Sequence, residues 1–305
     1  MEHRGKIHRF LLRMILIMTI ISFHACHKAV RTGIMIFENY EKFIDDTKLM
    51  DPREDIEYLK KTRFHKAELD SLPSLAIILH DTRIKMFLDS LNIPRKDITI
   101  LETGITDMTI LYVVRNKQLC FVISPGLPGS GGISTQVAEF AGMGIKKLIH
   151  IGTCGVFSDQ PVDFDFIISG GCYKDGATVL LSTDNGTISY PDMSLTAEIK
   201  QKIKERTIRA TTGLGFTIPI FYYQPEKLLI HLARWQYDDF LKPLYIEMEG
   251  SAVFETGRIT NIKTASIVIP TDRYYLEQGA LKHEFIDFDH EQLKLEALRI
   301  CASLH

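Results

Sequence analysis

Two apolar runs that stop abruptly on small or acidic residues constrain this chain more than anything else in it. They are Ile149-His150-Ile151-Gly152-Thr153-Cys154-Gly155 and, further along, Tyr245-Ile246-Glu247-Met248-Glu249-Gly250. Short apolar runs bounded by turn residues read as buried strands. In an open α/β sheet, the carboxyl ends of strands are where a ligand crevice opens. Thr153 and its neighbouring glycines offer a hydroxyl and backbone N–H groups, which suit an anion. Glu247 and Glu249 offer carboxylates, which suit sugar hydroxyls. One half of such a crevice suits phosphate and the other ribose.

The rest of the chain alternates in the same manner. Apolar runs at 75–79, 98–101, 110–114, 119–123, 147–151, 164–168, 215–220 and 265–269 are predicted strands. Segments at 83–92, 132–144, 193–207, 225–235, 249–260 and 290–303 carry the helical period. Pro94, Gly104, Asn116, Gly129 and Asn185-Gly186 supply turns. This order predicts one α/β domain, a three-layer α/β/α arrangement with a mixed, mostly parallel central sheet.

Composition narrows the function. A net charge of −2 leaves no electrostatic footprint for nucleic acid. The five cysteines (Cys26, Cys120, Cys154, Cys172 and Cys301) show neither C-x-x-C spacing nor the His pairing of a zinc site. Cys120 and Cys172 lie in apolar runs and read as small buried hydrophobes, against a disulfide framework.

The first sixty residues read differently. Arg4, Lys6, His8, Arg9 and Arg13 precede an apolar run from Met14 to Phe23, then His24-Ala25-Cys26. Basic, apolar, then small is the order of a secretory leader, and Cys26 after Ala25 allows a lipoprotein signal. The run is short for a bilayer span, and Phe23 and His24 fit a lipoprotein cleavage box poorly. Two readings stay open: a leader over 1–26, or an extension upstream of the true start. Residues 27–62 look like a mixed-charge helical lead-in, so residues 1–62 are expected to form an extension and 63–305 the domain.

Several segments from Phe64 to the C-terminus carry a family resemblance. Phe64-His65-Lys66-Ala67-Glu68-Leu69, Ile77-Ile78-Leu79-His80-Asp81-Thr82-Arg83 and the Gly-rich turn Ser124 to Ser134 are the first three. Glu139-Phe140-Ala141-Gly142-Met143-Gly144-Ile145, Lys174-Asp175-Gly176-Ala177-Thr178 and Tyr190-Pro191 follow in order. With the two opening runs, these resemble the nucleoside phosphorylase superfamily, nearest its uridine phosphorylase-like branch.

The resemblance implies cleavage of a nucleoside's N-glycosidic bond by phosphate, giving free base and ribose 1-phosphate. Phosphate is the co-substrate, and no metal or organic cofactor is implied. Arg83 is carried over to the arginine of the family's Gly-Asp-Pro-x-Arg loop, with a one-residue deletion and with His80 and Thr82 in place of glycine and proline. Thr153 carries over directly, while His150 stands where the family has a second arginine. A third arginine, lent across the dimer in uridine phosphorylases, has no counterpart between Leu101 and Tyr112. The loss of fixed charge and of a bidentate fork weakens the case for phosphate.

On the sugar side, the resemblance implies that Met248 lies against ribose and that Glu249 accepts from its 2′ and 3′ hydroxyls, with Glu247 either a second ribose ligand or structural. On the base side, Phe221 stacks, Gln224 pairs with an amide edge, and Lys227 replaces an arginine. Asp272, ending the run Ile267-Val268-Ile269-Pro270-Thr271-Asp272-Arg273, matches the aspartate that protonates a leaving purine at N7 in purine-specific relatives. Catalysis is thus assigned to Asp272 and Glu249.

Two alternatives remain: a phosphate-independent nucleosidase, and a non-catalytic nucleoside-binding or storage member of the fold. A homodimer or hexamer is expected from the family. A cytoplasmic location is expected, the alternative being export or anchoring through a leader ending near Cys26.

Overall fold

Leu75–Leu79 is apolar at every position because both faces of its strand are covered, and all five residues are buried. The computed structural model describes residues 51–62, 66–102, 110–182 and 184–304. The expected leader over 1–26, most of the lead-in and the turn at Gly104 lie outside these residues. The strands are β1 Leu75–Leu79, β2 Ile98–Glu102, β3 Ile110–Arg115, β4 Cys120–Pro125, β5 Lys147–Phe157, β6 Phe166–Tyr173, β7 Ile188–Ser189, β8 Ala210–Thr217, β9 Pro243–Glu247, β10 Lys263–Glu277 and β11 Ala280–Phe285. The helices are α1 Pro52–Thr62, α2 Lys66–Leu69, α3 Ile84–Ser90, α4 Gly129–Gly142, α5 Gly176–Leu181, α6 Met193–Lys204, α7 Glu226–Arg234, α8 Gly250–Thr260 and α9 His290–Ala302.

One 11-stranded mixed sheet runs β11-β10-β6-β8-β9-β5-β1-β4-β3-β2, with β7 on β6 and a further pairing of β10 with β5. Parallel pairings hold the centre, β4 to β1 to β5 to β10 and β6 to β8 to β9. Antiparallel pairings join these groups and finish the edges. Because β5 touches β10 along its length and β9 near its end, the strands β5-β10-β6-β8-β9 close on themselves.

The alternation of side chains along the strands builds three layers. Leu75, Ile77 and Leu79 face one way with Ile149, Ile151, Ile267 and Ile269, and pack under α3, α6 and α9. Ala76, Ile78, Leu148 and Val268 face the other way, under α4 and α8. Together the layers form the expected α/β/α sandwich.

The structure extends the predicted elements where polar residues interrupt the apolar pattern. The strands expected at 147–151 and 265–269 continue to Phe157 and Glu277. Their extensions carry Thr153, Cys154, Thr271 and Asp272, which line a cavity and so lack an apolar run. The sequence reading lacked β7, β11, α2 and α5. β10 and β11 form a hairpin through Gln278 (φ 51°) and Gly279 (φ 83°), the left-handed pair that a two-residue turn between twisted strands requires.

The packed body begins before residue 63. Ile56 of α1 is fully buried, and a Cβ on Gly142 of α4 would stand 2.8 Å from its Cγ1, so α1 lies directly on α4. Among the described residues, no helix is long and apolar enough to cross a membrane. If α1 belongs to the core, Ile56→Ala should cost about 2–5 kcal/mol of stability, read from urea denaturation. An unchanged midpoint would make α1 an appendage.

Candidate active site

Where β9 ends and α8 begins, a buried carboxylate fixes the backbone. Glu247 Oε2 accepts the N–H groups of Glu249 at 2.7 Å and Gly250 at 2.6 Å, and its Oε1 accepts the Thr217 hydroxyl at 2.6 Å. An anion at a helix N-terminus satisfies donors that have no partner within the helix. Burial nevertheless pushes the Glu247 carboxyl upward, against the hydrogen bonds that hold it down. With both oxygens engaged, Glu247 acts as a brace for this turn.

The brace presents Glu249 to a cavity of about 320 Å³. Glu249 Oε1 accepts the Gly129 N–H at 2.7 Å, so the start of α4 also holds this side chain. Burial, and then the neighbouring Glu247, push the Glu249 carboxyl up to about 8. The lining also includes Thr153, Cys154 and Gly155 from β5, Met248, Phe221 and Gln224 from the loop after β8, and Thr271, Asp272 and Tyr274 from β10. Seven of the residues singled out in the sequence therefore meet at one place: Thr153, Phe221, Gln224, Glu247, Met248, Glu249 and Asp272.

Asp272 sits at a bulge. The pairing of β10 with β5 shifts register between Pro270 and Asp272, and such an extra residue re-aims a side chain. The Thr271 hydroxyl donates to Asp272 Oδ2 at 2.7 Å, and His283 Nε2 lies 2.8 Å from Oδ1. His283 comes from β11, directly opposite Tyr274 in the hairpin register. The sequence reading missed His283, because its closeness to Asp272 depends on strand pairing. Gln224 donates to the Ile220 carbonyl at 3.3 Å, while its Oε1 is buried with no hydrogen-bond partner among the described residues. Phe221 is 64% exposed and rests edge-on against Tyr222. Lys227 is exposed on α7 and does not line the cavity.

Two expected phosphate ligands are placed elsewhere. Arg83 is captured two residues back in the chain: its Nε and Nη2 bond the Asp81 oxygens at 3.0 and 2.9 Å, and its Nη1 bonds Glu291 at 2.9 Å. Lys294 also bonds Asp81, at 2.9 Å. Burial pushes the Asp81 carboxyl up, but the Arg83 and Lys294 hydrogen bonds outweigh it and hold the group well below the usual carboxylate range. His150 is buried behind the cavity, with Nδ1 2.8 Å from the Ser266 hydroxyl. Burial, reinforced by His80, holds its imidazole neutral. In front of it stands His80, which lines the cavity where the resemblance has a glycine, its ring edge-on to His150 at 4.9 Å. Burial and then Lys294 push the His80 imidazole down to about 4. A histidine directly after the first strand was the available signal for this residue.

A family model, that of the phosphorylase superfamily, matches residues 76–304. The chain belongs to the phosphorylase superfamily. Among curated members, it is 30% identical over 129 residues to the DeoD-type purine nucleoside phosphorylase of Buchnera aphidicola subsp. Baizongia pistaciae, covering 42% of this chain and 52% of that protein. It is 25% identical over 130 residues to the DeoD-type enzyme of Actinobacillus pleuropneumoniae serotype 5b, with the same coverage. The chain thus spans about half the length of the curated relatives it matches.

Solved structures of the superfamily share the fold at lower identity. The Toxoplasma gondii purine nucleoside phosphorylase bound to immucillin-H aligns with a TM-score of 0.59 at 17% identity, over 77% of this chain and 92% of that one. Uridine phosphorylase from Vibrio fischeri ES114 gives 0.57 at 16%, over 77% and 90%. AMP nucleosidase from Bacteroides thetaiotaomicron VPI-5482 gives 0.57 at 15%, over 82% and 96%.

Two of the shifted groups, Glu249 and His80, make stability depend on pH with opposite signs. Glu249 is raised from an ordinary 4.5 to about 8, so its contribution is complete below 4.5 and is lost as pH rises through 8. His80 is lowered from 6.5 to about 4, so its contribution is present above 6.5 and is lost as pH falls through 4. Above 6.5 only the Glu249 effect remains of the two. In EDTA-containing buffer the melting temperature should therefore fall between about pH 6.5 and 8, and Glu249→Gln should flatten that slope. An unaltered slope in the variant would show that Glu249 is not the group titrating.

Proposed function

We propose that this chain hydrolyses the N-glycosidic bond of a purine nucleoside. One observation carries the reading: the cavity sets Met248 and Glu249 together with a hydrogen-bonded Asp272–His283 pair, and no arginine or lysine is among its described lining residues. Ribose lies against Met248, with its 2′ and 3′ hydroxyls at the Glu249 carboxyl. The base extends towards Phe221, Gln224 and Asp272. As the C1′–N bond breaks through an oxocarbenium-like state, its electron pair moves to the base. The Asp272–His283 pair supplies the proton to N7, a general-acid step worth roughly 10²–10⁴-fold.

The nucleophile follows from charge. Phosphate is a dianion, and binding it beside Glu249 calls for cations that Arg83, His150 and His80 do not provide in this arrangement. Water, entering beside Thr153 and His80, attacks C1′ and releases a proton as ribose forms. Phosphorolysis is the second reading, favoured by the direct match of Thr153 to the superfamily's phosphate threonine. The purine nucleoside phosphorylases among the curated relatives support a purine base, and their name favours the second reading equally.

The test is base release from inosine, adenosine and uridine, each with and without inorganic phosphate. Release from purine nucleosides at a rate indifferent to phosphate is expected. Asp272→Asn should lower kcat by about 10²–10⁴-fold, and His283→Ala, which removes only the partner of Asp272, should lower it less. Release only when phosphate is present would establish phosphorolysis. Absence of release, with nucleosides still raising the melting temperature, would make the chain a nucleoside-binding protein.

A further inference from the structure

Metal-ligating groups converge at one side of the cavity that Thr153 lines. His80 follows β1, His150 lies within β5 and Glu249 follows β9, so three neighbouring strands converge on it. One ligating atom from each of these side chains lies within 4.8 Å of those of the other two. Nε2 of His80 and Nε2 of His150 are both buried and have no hydrogen-bond partner among the described residues. Leaving two buried ring nitrogens unsatisfied costs about 1–3 kcal/mol each, so a polar or cationic occupant between the two rings and Glu249 would satisfy them.

The surroundings are shaped to keep these rings in place. A Cβ on Gly126 would fall 2.5 Å from His80 Nε2, and a Cβ on Gly152 would fall 2.9 Å from His150 Cε1. Both glycines therefore leave space that the imidazoles need. The Ser266 hydroxyl, 2.8 Å from His150 Nδ1, can accept Nδ1–H and so fix the tautomer that turns an Nε2 lone pair to the cluster. Metal-bound histidines are oriented by such outer partners.

We propose that His80 Nε2, His150 Nε2 and the Glu249 carboxylate bind one divalent transition-metal ion of the zinc class. Two imidazoles and one carboxylate, with a fourth position open to the cavity, form the donor set of a zinc site that keeps a water ligand. Nitrogen–metal distances of about 2.0–2.1 Å require the three groups to draw together by roughly 1.5 Å at most. Sequence spacing did not suggest a metal, because the ligands come from three separate strands. On the hydrolytic reading, which this role rests on, the ion holds the attacking water and lowers its pKa. The water loses a proton to solvent, the hydroxide forms the C1′–O bond, and the C1′–N electron pair leaves with the base.

Titration of the chelator-stripped full chain with Co2+ alone, without nucleoside, tests the site. One equivalent per chain with the visible ligand-field bands of a low-coordinate nitrogen–oxygen site is expected, displaced by Zn2+. His80→Gln and Glu249→Gln should abolish the bands, and Ser266→Ala should weaken affinity by about 10–100-fold. Gly126→Ala, which crowds His80 without removing a ligand, should also weaken binding. Failure of the folded wild-type chain to bind stoichiometrically overturns the proposal, as does binding that His80→Gln leaves intact. Because this readout needs no turnover, it stands or falls separately from the nature of the nucleophile.

Discussion

Everything at the site depends on one buried carboxylate at a strand-to-helix turn. Glu247 takes the N–H groups of Glu249 and Gly250 and the Thr217 hydroxyl, and so ties the end of β9 to the start of α8 and to β8. Losing the carboxylate would leave those buried donors unpaired, which costs more than the bonds contribute when made. The turn it holds sends the next acidic side chain, Glu249, into the cavity. There Gly129 at the start of α4 holds the second carboxylate. Two acidic residues two positions apart thus divide the work between structure and ligand.

The same closed set of strands carries the other side of the cavity. β5 and β10 run side by side well past their apolar halves, and the bulge at Thr271 turns Asp272 inward. The β10–β11 hairpin then brings His283 to Asp272 from outside the cavity's strand ends. Strand pairing therefore fixes Asp272 and the Glu247 brace fixes Glu249, while Phe221 and Gln224 reach the cavity from the loop after β8. The nucleophile side differs in chemistry: Asp81 holds the arginine, and neutral imidazoles stand where relatives are expected to carry fixed charge. A neutral pocket lined by nitrogen lone pairs suits water or a metal-bound water better than a phosphate dianion.

How far this was legible in the sequence differs from group to group. β1 and the first half of β5 were plain because strands covered on both faces are continuously apolar. Glu249 and Asp272 were legible because ligand crevices open at strand ends. Arg83 stands outside the cavity lining, paired with Asp81, and its motif position says nothing of that partner. His283 depended on a hairpin register and Ile56 on a helix contact across the fold, and neither distance is encoded locally. The His80–His150–Glu249 cluster was hidden for the same reason, since β1, β5 and β9 are far apart in order but adjacent in the sheet.

In the proposed hydrolysis the cavity delivers an oxygen from water, not from phosphate, to C1′. Proton NMR of the sugar product formed from inosine in phosphate buffer reads this directly. Free ribose is expected as the first sugar product even with phosphate in large excess. Accumulation of ribose 1-phosphate would contradict it and return the site to phosphorolysis.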